Sequence, residues 1–235
     1  AIGILASGLG FEDPTSNEIT VAYESLSGNV RAKLQQALDN NQDGRYNANI
    51  KALEKVMPMN IPAHLIDFSI GSSWIDPKLY EEYVKEKTDI DVKFTPVGGT
   101  WHMQTPSWIL EDKNKTAGVY SDILHKTFYG TQLIEAAMTN KTIEAKEIHK
   151  KWNGETETIV DKEATQAISN KIDEIRQDFK EWAKAKMQSN PELAQEVEKK
   201  YNDTFNNYAP KTIPKEFVPK RFIARSEERR VGKEC

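Results

Sequence analysis

The sequence predicts a mainly α chain of the α+β class, and three observations carry that reading. Apolar residues recur at helical spacing along two long C-terminal stretches. Two shorter amphipathic segments flank a polar, Asn/Asp-rich link nearer the N-terminus. One pair of alternating runs brackets Gly98-Gly99, which marks a small β-hairpin because tight hairpin turns need positive φ.

The elements follow in order. Residues 1–25 read as the end of a preceding module plus a link, with Asp13-Pro14-Thr15-Ser16-Asn17 as its turn. A helix is expected from near Ser27, whose hydroxyl can cap free N–H groups, with Val30, Leu34, Ala37 and Leu38 on one face. Asp39 to Tyr46 is a polar loop. A second helix from about Ala48 carries Ile50, Leu53, Val56 and Met57 and stops at Pro58, so the two form a helical hairpin. A short helix is expected near Pro62–Phe68. Asp76-Pro77 reads as an N-cap with proline at the first helical position, opening 78–87. The hairpin pairs Val92–Thr95 with Trp101–Met103. Ser107–Leu110 and Thr142–Ile148 are candidate further strands, and the segment around Tyr120–Ala137 is expected to be helical.

Ile168, Ile172, Ile175, Phe179 and Trp182 mark one face of a helix from about Lys162 to Met187. Ser189-Asn190-Pro191-Glu192 stops the chain and starts it again: polar cap, proline, then an acid in the first turn. Leu193, Val197, Tyr201 and Phe205 stripe the next helix. From Tyr208 onward Pro210, Pro214 and Pro219 argue for an extended tail. The divisions expected are therefore a helix-rich accessory domain over 26–160 with the small β-element, a helical connector over 161–207 and a linker over 208–224.

Arg225 to Cys235 reads like the in-frame translation of a common short-read sequencing adapter, and is expected to be non-native, with the natural chain interrupted at about Ala224. Setting aside its four basic and three acidic residues moves the net charge from −4 to about −5. The only cysteine, Cys235, goes with it, which removes disulfides, thiolate metal sites and cysteine nucleophiles. With 38% hydrophobic and 29% charged residues the composition is that of a globular protein, and no apolar run approaches a membrane span of about 20 residues.

Few motifs point to chemistry. Asp39, Asn41, Asp43 and Gly44 match the early positions of a calcium-binding EF-hand loop, but Ile50 stands where a bidentate glutamate should close it. Asn190-Pro191-Glu192-Leu193 resembles the base-flipping loop of adenine methyltransferases, yet Leu193 cannot stack as an aromatic there would. His64, His102, His125 and His149 lack metal-ligand spacing. No catalytic, cofactor-binding or metal-binding residue is assigned. Candidate nucleic-acid contacts are Arg31 and Lys33 near a helix start, Trp101, His102 and Gln104 on the hairpin, and Lys211, Lys215, Lys220 and Arg221 in the basic tail. For Trp74 and Trp101 core packing is the favoured alternative.

One block, Tyr23-Glu24-Ser25-Leu26-Ser27-Gly28-Asn29-Val30-Arg31-Ala32-Lys33-Leu34, is distinctive. It is followed by Asn49-Ile50-Lys51-Ala52-Leu53-Glu54, Ile70-Gly71-Ser72-Ser73-Trp74-Ile75, Tyr129-Gly130-Thr131, Glu163-Ala164-Thr165, Phe179-Lys180-Glu181-Trp182 and Tyr201-Asn202-Asp203-Thr204-Phe205-Asn206. In that order they resemble the central region of very large phage and conjugative-element proteins. Those proteins join a DNA adenine methyltransferase-like module to a Swi/Snf-type superfamily 2 helicase motor, and some are linked to anti-restriction. The resemblance covers most of residues 20–224. Ser25 departs from it, standing where the family more often has tyrosine. The resemblance implies a non-catalytic accessory region, in a bacterial or phage-infected cytoplasm, that helps engage DNA. It also implies methyltransferase and helicase modules of the same chain as partners, with ATP/Mg and S-adenosylmethionine used by those modules. A structural spacer between the modules is the alternative.

Overall fold

A computed structural model describes residues 8–106, 112–150, 152 and 154–212. The fold is mainly α, with small antiparallel hairpins and two long C-terminal helices. It divides into two units, one built from the described residues up to Ile61 and from Lys199 onward, the other from Pro62 to Glu198. Among the described residues no helix is long and apolar enough to cross a membrane.

The first unit opens with strands β1 (Gly10–Glu12) and β2 (Ile19–Val21), paired antiparallel. Their turn is the expected one: the Asp13 carboxylate accepts from the amides of Thr15 and Ser16 at 2.8 and 3.0 Å. A short helix α1 (Ala22–Ser25), strand β3 (Gly28–Asn29), and helices α2 (Val30–Asp39) and α3 (Asn47–Val56) follow. Val30, Ala37, Tyr46, Leu53 and Ala209 form the core, flanked by Leu26, Leu34, Ile50, Val56 and Met57. Helix α2 starts three residues after Ser27. Gly28 sits at φ +77°, residues 28–29 pair with Tyr208–Ala209, and Asn29 is the cap, accepting from the Ala32 amide at 2.9 Å. Ser27 donates backward to the Glu24 carbonyl instead, and Leu38 is 50% exposed, off the buried stripe.

In the second unit the expected helix near Pro62–Phe68 is only a 3₁₀ turn, Ala63–Leu65. Asp76 caps helix α4 (Pro77–Thr88) as expected, accepting from the Lys78 amide at 2.9 Å. Strands β4 (Lys93–Val97) and β5 (Thr100–Gln104) form the expected hairpin, with Gly98 and Gly99 at positive φ. Helix α5 (Asp112–Thr116) follows. The stretch around Tyr120–Ala137 is corrected: it is a hairpin, β6 (Val119–Ser121) with β7 (Lys126–Phe128), and only then helix α6 (Gly130–Thr139). A Cβ on Gly118 would lie 2.1 Å from the Phe128 carbonyl oxygen, so a close backbone approach selects glycine there. The expected strand over Thr142–Ile148 lies instead at β8 (Lys146–Lys150), which pairs with β9 (Thr156–Val160). The candidate strand Ser107–Leu110 lies outside the described residues.

Helix α7 (Lys162–Ser189) buries Ile168, Ile172, Ile175, Phe179, Ala183 and Met187. Phe179 is fully buried, with ring centroids 5.1 Å from Tyr83, 5.5 Å from Tyr80 and 6.0 Å from Phe68. The Tyr83 hydroxyl donates to Asp178 at 2.7 Å and the Tyr80 hydroxyl to the Ser72 carbonyl at 2.9 Å. Burial, joined at Tyr83 by the Asp178 carboxylate, pushes both phenols well above their ordinary value. Asn190 caps helix α8 (Pro191–Phe205), accepting from the amides of Glu192 and Leu193. The tail is not wholly irregular, because strand β10 (Tyr208–Ala209) pairs with β3.

Phe179→Ala is expected to cost about 3–5 kcal/mol through lost contacts and a residual cavity. Met59→Ala, at a side chain 89% exposed, should stay within about 0.5 kcal/mol. Urea unfolding of both variants checks this, and equal small losses would remove Phe179 from the centre of the core.

Candidate functional site

Three of the candidate nucleic-acid contacts are occupied by the first unit itself. Arg31 donates to the Asn206 carbonyl at 2.7 Å, the Pro58 carbonyl at 3.0 Å and the Asn60 side chain at 2.7 Å. Lys33 donates to the carbonyls of Glu24, Ser25 and Ser27 at 2.8, 3.2 and 2.7 Å. Burial lowers its ammonium pKa, while Asp13 and Glu24 oppose that shift. Lys211 lies 2.8 Å from the Glu24 carboxylate and over the Tyr23 ring, and its hydrogen bond to Glu24 raises its pKa. These side chains work as ties within the fold.

In the second unit Trp101 turns inward, buried, with its indole N–H 3.4 Å from the Ser72 carbonyl. His102 and Gln104 face outward, with His102 3.8 Å from Glu135. Lys215, Lys220 and Arg221 lie outside the described residues, as does the segment 225–235. Among the described residues, neither unit by itself gathers its candidate contacts into a free cationic cluster. The EF-hand-like loop bonds to itself: Asn41 accepts from the Tyr46 amide and donates to the Asn47 side chain, and Asp43 accepts from the Arg45 amide. Among the described residues no group of three or more His, Cys, Asp or Glu is placed to hold a metal ion.

Among the described residues the β8–β9 hairpin is an exposed arm. Every residue of β8 is exposed, and in β9 only Ile159 is half-buried. Ile148 is 60% and Val160 46% exposed, and Trp152, between the strands, is fully exposed. Side chains alternate across a strand pair, so the register separates two faces. Lys146, Ile148 and Lys150 share one face with Val160, Thr158 and Thr156 opposite them, and no carboxylate is among them. Glu147 and His149 share the other with Ile159 and Glu157.

The arm's base is fixed by Asp161. Its amide donates to the Ala145 carbonyl at 2.8 Å. Its carboxylate caps α7 by accepting from the Ala164 amide at 2.9 Å, and also accepts from the Ser121 hydroxyl at 2.7 Å. Thr165 closes the node by accepting from the Ala145 amide at 3.0 Å. Beside it runs an open groove of about 590 Å³ between residues 140–144 and α7. Its cations are Lys141, Lys162 and Arg176, its carboxylates Glu144 and Asp173, and Thr142 and Ser169 add hydroxyls, the Thr165 hydroxyl being spent on the Asp161 carbonyl and the Ala145 amide. Val160 belongs to both groove and carboxylate-free arm face, so the two are continuous. Both groove carboxylates are paired, Glu144 with Lys146 at 2.7 Å and Asp173 with Arg176 at 2.8 Å. These pairs neutralise Lys146 and Arg176, and Lys141, Lys150 and Lys162 leave the track locally positive in a chain of net charge −4.

Sequence reasoning anticipated only a strand over Thr142–Ile148, overlapping β8, and missed the hairpin and β9. The signal was present: Asn-Gly at 153–154, followed by the β-branched run Thr156, Thr158, Ile159 and Val160. A smaller cleft of about 230 Å³ in the first unit is lined by Phe11, Leu26, Ala37 and Leu53 with Asp13, Glu24 and Lys33, whose ammonium is already satisfied there.

A family model described as a domain of unknown function, DUF8437, matches residues 69–207. That is more than half of the chain, so the chain belongs to this family; the matched span holds the arm, the groove and the aromatic core. No curated protein and no solved structure matches the chain.

The Ala164 amide, and then the Ser121 hydroxyl, hold the Asp161 carboxyl below its ordinary value of 3.8. The stabilisation is thus complete above pH 3.8 and is lost as pH falls through the lower folded-state value. The stability gap between the wild-type chain and Asp161→Asn should be widest above that pH and close under acid. A gap independent of pH, measured by urea unfolding across the acid range, would sink this assignment.

Proposed function

We propose that this DUF8437 member is a non-catalytic accessory region that engages DNA on behalf of catalytic modules carried elsewhere. The observation that carries the reading is the positive track formed by the carboxylate-free arm face and the α7 groove, set in an acidic chain. Phosphate contacts supply most sequence-independent affinity for DNA, and they need cations on one continuous surface rather than a basic chain overall. Hydroxyls of Thr142 and Ser169 beside Lys141, Lys162 and Arg176 suit phosphate and sugar oxygens.

The ordered sequence blocks support a host protein of the mobile-element helicase–methyltransferase kind, in which ATP/Mg and S-adenosylmethionine belong to the motor and methylase modules. The spacer alternative expects an apolar patch exposed along α7, but Ile168, Ile172, Ile175 and Phe179 are buried within their own unit.

DNA binding by the purified chain, followed by fluorescence anisotropy, should weaken with salt. Each phosphate contact contributes a slope of roughly −0.7 to −0.9 in log affinity against log salt. Replacing Lys150 and Lys162 together by glutamine should flatten that slope by about 1.5. Undetectable or salt-independent binding to both duplex and single strand would overturn the reading.

A further inference from the structure

We infer that Trp152 is a base-stacking residue and that the nucleic acid taken by this surface is single-stranded or locally unpaired. The inference deepens the DNA-engaging reading and rests on it. The other described tryptophans are committed to the fold. Trp74 packs on Phe68 at 5.6 Å, Trp101 is buried, and Trp182 packs on Tyr83 at 5.2 Å and donates to Glu86. Trp152 alone among these four sits fully in solvent, at the turn of the arm.

The arm's five-residue strands at about 3.3 Å per residue carry that indole roughly 17 Å from the Asp161 node. An exposed indole at the tip adds nothing to the core, but it offers a flat π-face away from the body of the unit. In a duplex the base faces are covered by their neighbours. An indole reaches one only where a base is unpaired or has been unstacked. Below the tip, Lys150 and Lys146 with Thr156 and Thr158 form the face without carboxylates, and Val160 leads it into the groove with Lys162 and Arg176. This is the arrangement a single strand needs: an aromatic platform for a base and a cationic path for its backbone. The carboxylates Glu147 and Glu157 lie on the opposite face, so the charge pattern also selects which side of the arm the strand follows.

The test compares the full chain with Trp152→Ala and Trp152→Phe, using labelled oligothymidylate and a blunt duplex of equal length. Trp152→Ala should weaken oligothymidylate binding by about 5- to 100-fold, leave duplex binding unchanged and leave the circular dichroism spectrum unchanged. Trp152→Phe should recover most of the single-strand affinity, because a phenyl ring still stacks. If both probes bind with steep salt dependence and Trp152→Ala alters neither, the stacking role is wrong while the DNA-engaging reading stands. If Trp152→Ala weakens both probes equally, selection of unpaired bases is wrong. If neither probe binds, both readings fail together, and a protein pocket becomes the better occupant for the exposed indole.

Discussion

Everything in the larger unit depends on how Phe179 is packed. Its ring touches aromatic side chains from α4 and from the segment before it, so it anchors the buried stripe that sets the rotation of α7 about its own axis. That rotation points Ile168, Ile172 and Ile175 inward and leaves Lys162, Gln166, Ser169 and Asp173 facing out along the groove. The N-terminal end of α7 is then held at a defined place, and Asp161, its cap, hands that position on to β8, β9 and Ser121. The arm contributes nothing to the core, yet its direction follows from it through four hydrogen bonds at one node.

The smaller unit shows a sequence motif whose meaning changes once it is folded. Ser27 to Lys33 looks like a basic helix start inviting phosphate. In the structure each residue has a local task. Gly28 supplies positive φ, Asn29 caps α2, Val30 fills the core, Arg31 ties Asn206 to Pro58 and Asn60, and Lys33 satisfies three carbonyls around α1. Asn202 and Asn206 answer from the other end of the chain. Asn202, almost fully buried, donates to the Ile61 carbonyl and accepts from the Ile61 amide, and Asn206 donates to the Met59 carbonyl. Blocks far apart in sequence are thus matched parts of one latch.

What was legible followed local chemistry. Asp76-Pro77 and Asn190-Pro191 gave helix starts because cap and proline act within one turn. Gly98-Gly99 gave its hairpin for the same reason. What was hidden depended on contacts across the chain. Around Tyr120 the apolar spacing suits a helix, but the close passage of Gly118 against Phe128 and of Gly130 against Ala117 favours a hairpin instead. The two-residue pairing of β3 with β10, residues 28–29 with 208–209, cannot be read from either segment alone. The arm was a different failure: its turn signal was local and present, but its strands leave only Ile159 half-buried, so no hydrophobic pattern marks them.

That same scarcity of burial is a physical argument for the proposed interaction at the arm. A two-stranded ribbon with both faces wet is marginal in water by itself. This one is held at its root by a buried carboxylate that also caps α7, a buried hydroxyl and a threonine. Its exposed surface is also ordered by charge, with carboxylates on one face and lysines and threonines on the other, continuous with the basic groove. A mere surface loop has no physical need for that segregation. A polyanionic strand does, because carboxylates along the arm face would repel it, while Glu147 and Glu157 one pleat away would not block its seat and the groove's Glu144 and Asp173 are neutralised by Lys146 and Arg176.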